Sequence, residues 1–437
     1  VIAAVFAGAF VLGRRPSILP LVGIAGIVAA LLFYRWPVLG VLLTVLGGFA
    51  VPYSGPSGFN VTMLGTALLL GVWIAQMVVL NRRFELVDWP TVRAGIALCL
   101  VGIVSLLMGL LPWFPTQQAP LGAQLGGLAL VILSVGVFAW ASNVIKTLFW
   151  LKVLTFSFLA FASLHLIGYL SPAIGTIVTD RLFESGSTGS MFWTWLMVLA
   201  LGQCIYNRQL GALPRLALGG IFLVALYVAF DVQNDWKSGW VPAIIGVGAM
   251  LAASSGRLAA LMALAGLVPA ASVAQRLISS DTYSYSTRVE AWEILGQIIR
   301  VNPVLGLGPA NYYWYTPLFP IRGYFVSFNS HSQYVDLVAQ FGLVGLLVFV
   351  WFAFEISRVG WRLVRTPPAD DFARAYVYSA IGGLVASLSA GFLGDWLFPF
   401  FYNVGMSGFR ASILPWLFLG GLVAVAAMNL PKRKNSQ

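Results

Sequence analysis

The sequence predicts an all-α fold: a polytopic transmembrane helical bundle of about 12–14 spans with one large external loop containing an amphipathic helix. Three observations lead there. Hydrophobic residues make up 59% of the 437 residues and charged residues only 9%, too few charges to cover a soluble protein of this size. Runs of about 18–22 apolar residues, such as Val61–Leu80 and Tyr334–Glu355, are long enough to cross a roughly 30 Å hydrocarbon layer as helices. These runs are continuous and lack the alternation of a transmembrane barrel, and a helix satisfies its own backbone groups in lipid.

Charge placement then orders the elements. The formal charge of +11 suggests nucleic acid at first sight, but Lys and Arg fall mostly in short connectors between spans, which is the positive-inside pattern. The final "PKRKNSQ" carries Lys432, Arg433 and Lys434 and is placed in the cytoplasm. Counting back, Arg358, Arg362, Arg365 and Arg374 share that side, as do Arg208 and Arg215, and Arg82, Arg83 and Arg93. Arg14–Arg15 and Arg35 break the register, since they flank one short span, so the first fifty residues read as re-entrant or mis-bounded. The start lacks a basic n-region and a small-residue cleavage site and reads as having no removable signal peptide. Cys99 and Cys204 fall within spans and are expected to be buried small hydrophobes, with no disulfide framework.

The chain divides into N-terminal transmembrane helices (1–170), central helices with short external loops (171–274), an external loop domain (275–333), and C-terminal helices with a cytoplasmic tail (334–437). On the external face lie Pro52–Asn60, Trp113–Gln124, Ser171–Ser190 and Asp231–Trp240, and the much longer Gln275–Ser330. A loop that long between membrane helices is usually functional or independently folded. Within it, "STRVEAWEILGQIIRVNP" places Val289, Trp292, Leu295 and Ile299 at helical spacing. Thr287 and Glu290 have the spacing of a capping box, and Asn302–Pro303 supplies a stop. The expectation is an amphipathic helix on or near the outer membrane surface. The following "PVLGLGPANYYWYTPLFP" reads as an aromatic loop suited to the headgroup zone.

Few external groups can do chemistry. His331, one of two histidines, sits in "NSHSQ", where Ser330 and Gln333 have capping-box spacing. The imidazole is then expected in the first turn of a membrane helix, kept neutral by the positive helix end and able to deprotonate a hydroxyl beside an anion site. The alternative is an interfacial histidine that only anchors the helix. His165 reads as a packed intramembrane residue. Arg288 stands one turn before Trp292, Arg181 lies in another loop on the same face, and Lys237 begins a span there. These cations run against the positive-inside bias, and Arg and Lys both suit a diphosphate. The alternative is headgroup anchoring or pairing with Asp180, Asp235 or Glu290; Arg276, Arg300 and Arg322 read as anchors. No metal-site spacing, Walker A motif or Ser-His-Asp pattern occurs, and no cofactor is expected.

Taken in order, "DRLFESGSTGS", "WKSGW", "STRVEAWEIL", "NPVLGLGPANY" and "SHSQYVDLVAQFGLVGLL" resemble the O-antigen ligase and Wzy-type polymerase superfamily over about 170–350. The resemblance implies an integral-membrane, GT-C-like glycosyltransferase of the bacterial inner membrane, its active site facing the periplasm. It implies metal-independent, inverting transfer of a glycan from an undecaprenyl-diphosphate-linked donor to an acceptor hydroxyl on a lipid-linked glycan or a lipid A–core-like molecule. Carried over, His331 activates the acceptor, and Arg288, Arg181 and Lys237 hold the departing diphosphate. Two departures stand out: Ser332 where Asn is common after the histidine, and Lys237 where Arg is frequent. Polymerase, ligase and protein-glycosylating enzyme are not separated by these motifs. A lipid or polysaccharide transporter, or a non-catalytic membrane subunit, is the alternative from another class.

Overall fold

The computed structural model describes residues 19–429 apart from 54, 56–57, 83–85, 87–89, 179–181, 184–185 and 258–281. The Arg14–Arg15 pair, Arg83, Arg276 and the basic tail lie outside the described residues, as does Arg181. Helices follow one another almost without interruption: α1 (Leu19–Arg35), α2 (Pro37–Ala50), α3 (Val61–Ala75), α4 (Pro90–Gly109), α5 (Leu121–Val144), α6 (Leu148–Leu170), α7 (Pro172–Ile177), α8 (Ser190–Tyr206), α9 (Ala212–Tyr227), α10 (Lys237–Ser254), α11 (Thr282–Ile299), α12 (Tyr312–Tyr315), α13 (Gln333–Arg365), α14 (Asp371–Leu393) and α15 (Phe409–Asn429). Among the described residues eight helices are long and apolar enough to cross a membrane, and three shorter apolar helices and α10 run among them. The chain is an all-α, multi-pass membrane bundle.

Burial sorts the helices. In α15, 89% of the apolar window is buried, against 22% for Ala212–Val232, so α15 is central and α9 faces lipid. Leu213, Leu216 and Leu223 are accordingly exposed on α9, which in lipid is no penalty. Close crossings need small residues. Gly246 of α10 and Gly382 of α14 meet backbone to backbone: a Cβ on Gly246 would lie 2.7 Å from the Gly382 carbonyl oxygen. Ser379 of α14 donates to the Val198 carbonyl of α8 (2.8 Å), and Tyr376 donates to the Phe418 carbonyl of α15 (2.7 Å).

Residues 19–50 form two short helices that turn at Trp36, where the Phe33 ring covers Gly40. Gln76, near the end of α3, donates to the Tyr34 carbonyl (3.3 Å), which puts Arg35 at the same end of the bundle as Arg82. His165 is buried among Phe183, Phe192 and Trp193, as expected. Cys99 and Cys204 are unbridged and half-buried rather than buried.

The long apolar run after His331 is not one span. Gly342 (φ +70°, ψ −175°) interrupts α13, dividing a short helix that begins at Gln333 from the long one that runs to Arg365. At the break, Leu343 N–H donates to the Pro303 carbonyl (2.8 Å) and Val344 N–H to the Val304 carbonyl (3.2 Å). The carbonyls they would have met in a continuous helix, Ala339 and Gln340, accept instead from Leu307 (2.9 Å) and Gly308 (3.0 Å). Two helical bonds are exchanged for four bonds to the loop, so the break leaves these backbone groups satisfied. The expected span Tyr334–Glu355 is therefore corrected: its first turns belong to a layer built with the loop at that end of the bundle.

That layer has its own core. Ala291, Ile294, Leu295 and Ile298 of α11 pack with Leu307, Tyr312, Tyr315, Ile321, Ala339 and Phe400. The apolar face of α11 thus turns onto protein, shifted from the expected stripe of Val289, Trp292, Leu295 and Ile299, because the loop after it folds back underneath. The loop aromatics also turn inward rather than toward headgroups: Tyr312 stacks on Phe400 (4.7 Å, 19°) and Tyr313 on Tyr402 (4.6 Å, 15°). The Thr287–Glu290 capping box is not formed. Helix α11 is already helical from Thr282, so Thr287 donates back to the Tyr283 carbonyl (2.8 Å), and Glu290 pairs with Arg322 (3.1 Å).

Gly342→Ala places a side chain in a backbone region that is almost exclusive to glycine, at a cost of about 1–3 kcal/mol before its Cβ meets the Val304 carbonyl. The thermal unfolding midpoint of the purified protein is expected to fall by several degrees. Gly71→Ala, mid-helix with nothing within 4 Å of a Cβ, is expected to leave the midpoint unchanged or slightly raised.

Candidate active site

His331 is held in an uncommon backbone conformation. Its φ is +48°, a left-handed value that costs a non-glycine residue about 1–2 kcal/mol and persists where neighbours over-determine it. Ser332 N–H donates to the Ser330 hydroxyl (2.9 Å), and that hydroxyl bonds to the Asp336 carboxylate (2.7 Å). Tyr312 donates to the same carboxylate oxygen (2.5 Å), and Ser330 N–H donates to the Tyr312 hydroxyl (3.3 Å). From the other side, the Trp292 indole N–H donates to the Ser330 carbonyl (2.8 Å). Ser330, Ser332 and Asp336 are buried, while His331 is exposed. The strand before α13 is clamped at both neighbours of the histidine, and the imidazole is the part left facing out.

This geometry corrects two expectations. Helix α13 begins at Gln333 with Ser332 as its cap residue, so His331 precedes the helix rather than occupying its first turn, and the helix it precedes is the short external one. Ser330 and Gln333 do not form a capping box: the Gln333 amide oxygen accepts from Leu397 (3.1 Å) and Phe398 (2.8 Å), tying α13 to the connector after α14.

The electrostatics favour a neutral ring. Loss of hydration holds the imidazole below its ordinary pKa, and the positive charge of Arg288 lowers it further. At pH 7 the ring is therefore available as a base. Tyr312 shows the opposite shift: burial above all pushes its phenol well above the usual value, so it stays a proton donor to Asp336, whose own carboxyl burial raises to about 8.

The sequence-expected residues are placed as follows. His331 and Arg288 come together, close enough for one charge to shift the other's titration. Lys237 is the first residue of α10. The adjoining Trp236 ring lies 5.9 Å from that of Trp396, next to Leu397, which bonds Gln333; Lys237 is thus at the same end of the bundle. Arg322 is not a headgroup anchor but fastens the loop to α11, through Glu290 and through Thr287 (3.2 Å). Among the described residues no group of three or more His, Cys, Asp or Glu side chains gathers as a metal site requires.

Four residues position the histidine: Asp336 and Tyr312 were not singled out from the sequence, and Ser330 and Trp292 were read there only as a helix cap and as part of an apolar stripe. Asp336 carried a signal, a carboxylate at the head of an apolar run. The other three are ordinary residue types whose role depends on contacts across 18 to 38 positions.

With this geometry in place, the comparison with known families is informative. Residues 182–350 match the family described as O-antigen ligase. That stretch begins within the connector before α8, ends near the middle of α13, and contains Lys237, Arg288 and His331. The resemblance read from the ordered motifs is thus borne out over this region: the protein is a multi-pass membrane protein whose residues 182–350 are similar to the O-antigen ligase family. No curated protein matches the chain.

Removing the Arg288 charge is expected to raise the His331 pKa toward, but not past, its ordinary value, because the larger effect of lost hydration remains. Imidazole NMR titration of wild type and Arg288→Ala checks this, with His331→Ala assigning the two histidine signals. An unchanged or lowered His331 pKa in Arg288→Ala would show that the two side chains are not coupled.

Proposed function

We propose that the protein is a glycosyltransferase of the bacterial inner membrane that moves a glycan from an undecaprenyl diphosphate donor to an acceptor hydroxyl on the periplasmic side. The observation that carries this reading is His331, a neutral and outward-facing base fixed beside Arg288 within the stretch that matches the O-antigen ligase family.

In this reading His331 takes the proton of the acceptor hydroxyl as that oxygen attacks the anomeric carbon. The bond from that carbon to the diphosphate oxygen breaks, and undecaprenyl diphosphate leaves with the electron pair. Attack opposite the leaving group inverts the anomeric configuration. Charge builds on the diphosphate as it departs, and Arg288, with Lys237 and Arg181, offsets it without requiring a bound divalent ion. Arg288 supplies the planar fork, whereas Lys237 acts as a point charge. The strained His331 backbone fits this role, because a clamped base loses little orientation entropy when the acceptor arrives.

Turnover of a lipid-linked glycan by the purified protein tests the reading. His331→Ala is expected to lose about 10²–10⁴-fold in kcat, the usual worth of a positioned base. Arg288→Ala is expected to lose about 10²–10³-fold, with partial recovery in Arg288→Lys. The rate should rise with pH as the imidazole loses its proton and level off above its lowered pKa. Activity should survive excess chelator. Full activity in His331→Ala would overturn the assignment of the base, and loss of activity in chelator would overturn the metal-free step. Supplying lipid A–core or a second lipid-linked chain as acceptor separates ligase from polymerase.

A further inference from the structure

One face of α11 bears a shallow, open cleft that the packing of its layer leaves uncovered. It has a volume of about 700 Å³ and is lined by Trp292, Glu293, Gly296, Gln297 and Arg300. These positions recur at helical spacing and so share one face, distinct from the Ala291, Ile294, Leu295 and Ile298 face that enters the core. Arg288 lies one turn before Trp292 on the cleft's side. From Arg288 to Arg300 the stripe is about 18 Å long at 1.5 Å per residue. Its near end is at His331, because Trp292 donates to the carbonyl of Ser330, the residue just before the histidine.

The lining selects a ligand class. Trp292 is half-buried, and its indole N–H is already committed, so its ring is a fixed apolar platform beside the base. Gly296 leaves the floor open: a Cβ there would meet nothing within 4 Å. Glu293, Gln297 and Arg300 are exposed and offer, in turn, acceptors, a mixed amide and a fork of donors. A lipid chain needs a lining that is apolar throughout, whereas here Glu293, Gln297 and Arg300 put polar groups across much of it. A diphosphate needs clustered cations, and here Arg300 is accompanied by Glu293. A flat apolar platform with alternating donors and acceptors around an open floor suits sugar rings, which have apolar faces and a rim of hydroxyls.

We propose that the α11 cleft is a glycan-binding subsite that holds sugars beyond the one reacting at His331, with Trp292 as the stacking platform and Glu293, Gln297 and Arg300 bonding the hydroxyl rim. The inference rests on the transferase reading above and adds how the enzyme grips a chain longer than one sugar. That chain is part of the donor or of the acceptor; the chemistry of the cleft is common to both.

The test uses the full-length protein in nanodiscs with the lipid-linked glycan extracted from the native host, whole or cut back to its first sugar by exoglycosidases. Gly296→Trp fills the floor and Gln297→Ala removes one rim group, and both leave the Trp292–Ser330 bond in place. The kcat/KM for the whole glycan relative to the single sugar is expected to fall at least tenfold in Gly296→Trp and several-fold in Gln297→Ala. An unchanged melting midpoint and an unchanged His331 titration would show that the fold and the base are intact. Varying chain length on the donor and then on the acceptor shows which of them the cleft holds. If wild type transfers the glycan and both variants keep its length preference, the cleft proposal is overturned and the transferase reading stands. If wild type transfers neither glycan, the transferase reading is overturned, and saturation-transfer NMR with the free oligosaccharide decides the cleft: contact signals in wild type that vanish in Gly296→Trp support it, and equal signals or none in both overturn it.

Discussion

The exchange of backbone hydrogen bonds at Gly342 is the constraint from which the outer end of the protein is built. A membrane helix cannot simply stop and restart, because each freed N–H and C=O costs free energy in a place without water. Here Pro303 and Val304 take the donors of the lower segment, and Leu307 and Gly308 serve the acceptors of the upper one. The close approach explains the glycines. Gly306 (φ +73°) would put a Cβ 2.5 Å from the Gln340 carbonyl oxygen, and Gly308 (φ +90°) is pressed against Gly109 at the end of α4. A motif that reads on paper as loop punctuation is a splice between a loop and a broken helix.

The rest of the site follows from that splice. Fixing 303–308 against α13 places Asn311, which donates to the Gly109 and Leu307 carbonyls (2.9 Å each) and accepts from Ala119. Tyr312 comes next and reaches the buried Asp336, and Asp336 holds the Ser330 hydroxyl that braces the turn at His331. Asp395, just after α14, shapes the other wall by accepting from Phe400 and Asn403 (2.6 Å each), and the Phe400 ring stacks on Tyr312. Rigid elements thus determine where the His331 imidazole points.

Orientation and chemistry were linked through charge. The bundle keeps its basic connectors at one end, and the cations at the other end, Arg288 and Lys237, stand out against that bias. Arg288 acts on His331 through space, and Arg322, from the same loop, is spent on holding the loop to α11. Similar residues in one loop therefore have different roles, and no property of the arginine side chain itself distinguishes them.

The sequence by itself determined the fold class, the alternation of basic and loop-rich ends, the helical nature of 288–299, and the candidate pair Arg288 and His331. Each of these depends on local composition or short-range spacing, which a single chain displays. Only the tertiary structure decided that the run after His331 is two helices, that α11 packs on protein rather than lying free on lipid, that Thr287–Glu290 and Ser330–Gln333 are not caps, and that Asp336, Tyr312 and Trp292 orient the histidine. Those outcomes depend on partners far away in sequence: a carbonyl at 303 for an amide at 343, a carboxylate at 290 for a guanidinium at 322, a carboxamide at 333 for amides at 397 and 398. Periodicity cannot report a bond whose other half lies in another element, and in this site nearly every orienting bond is of that kind.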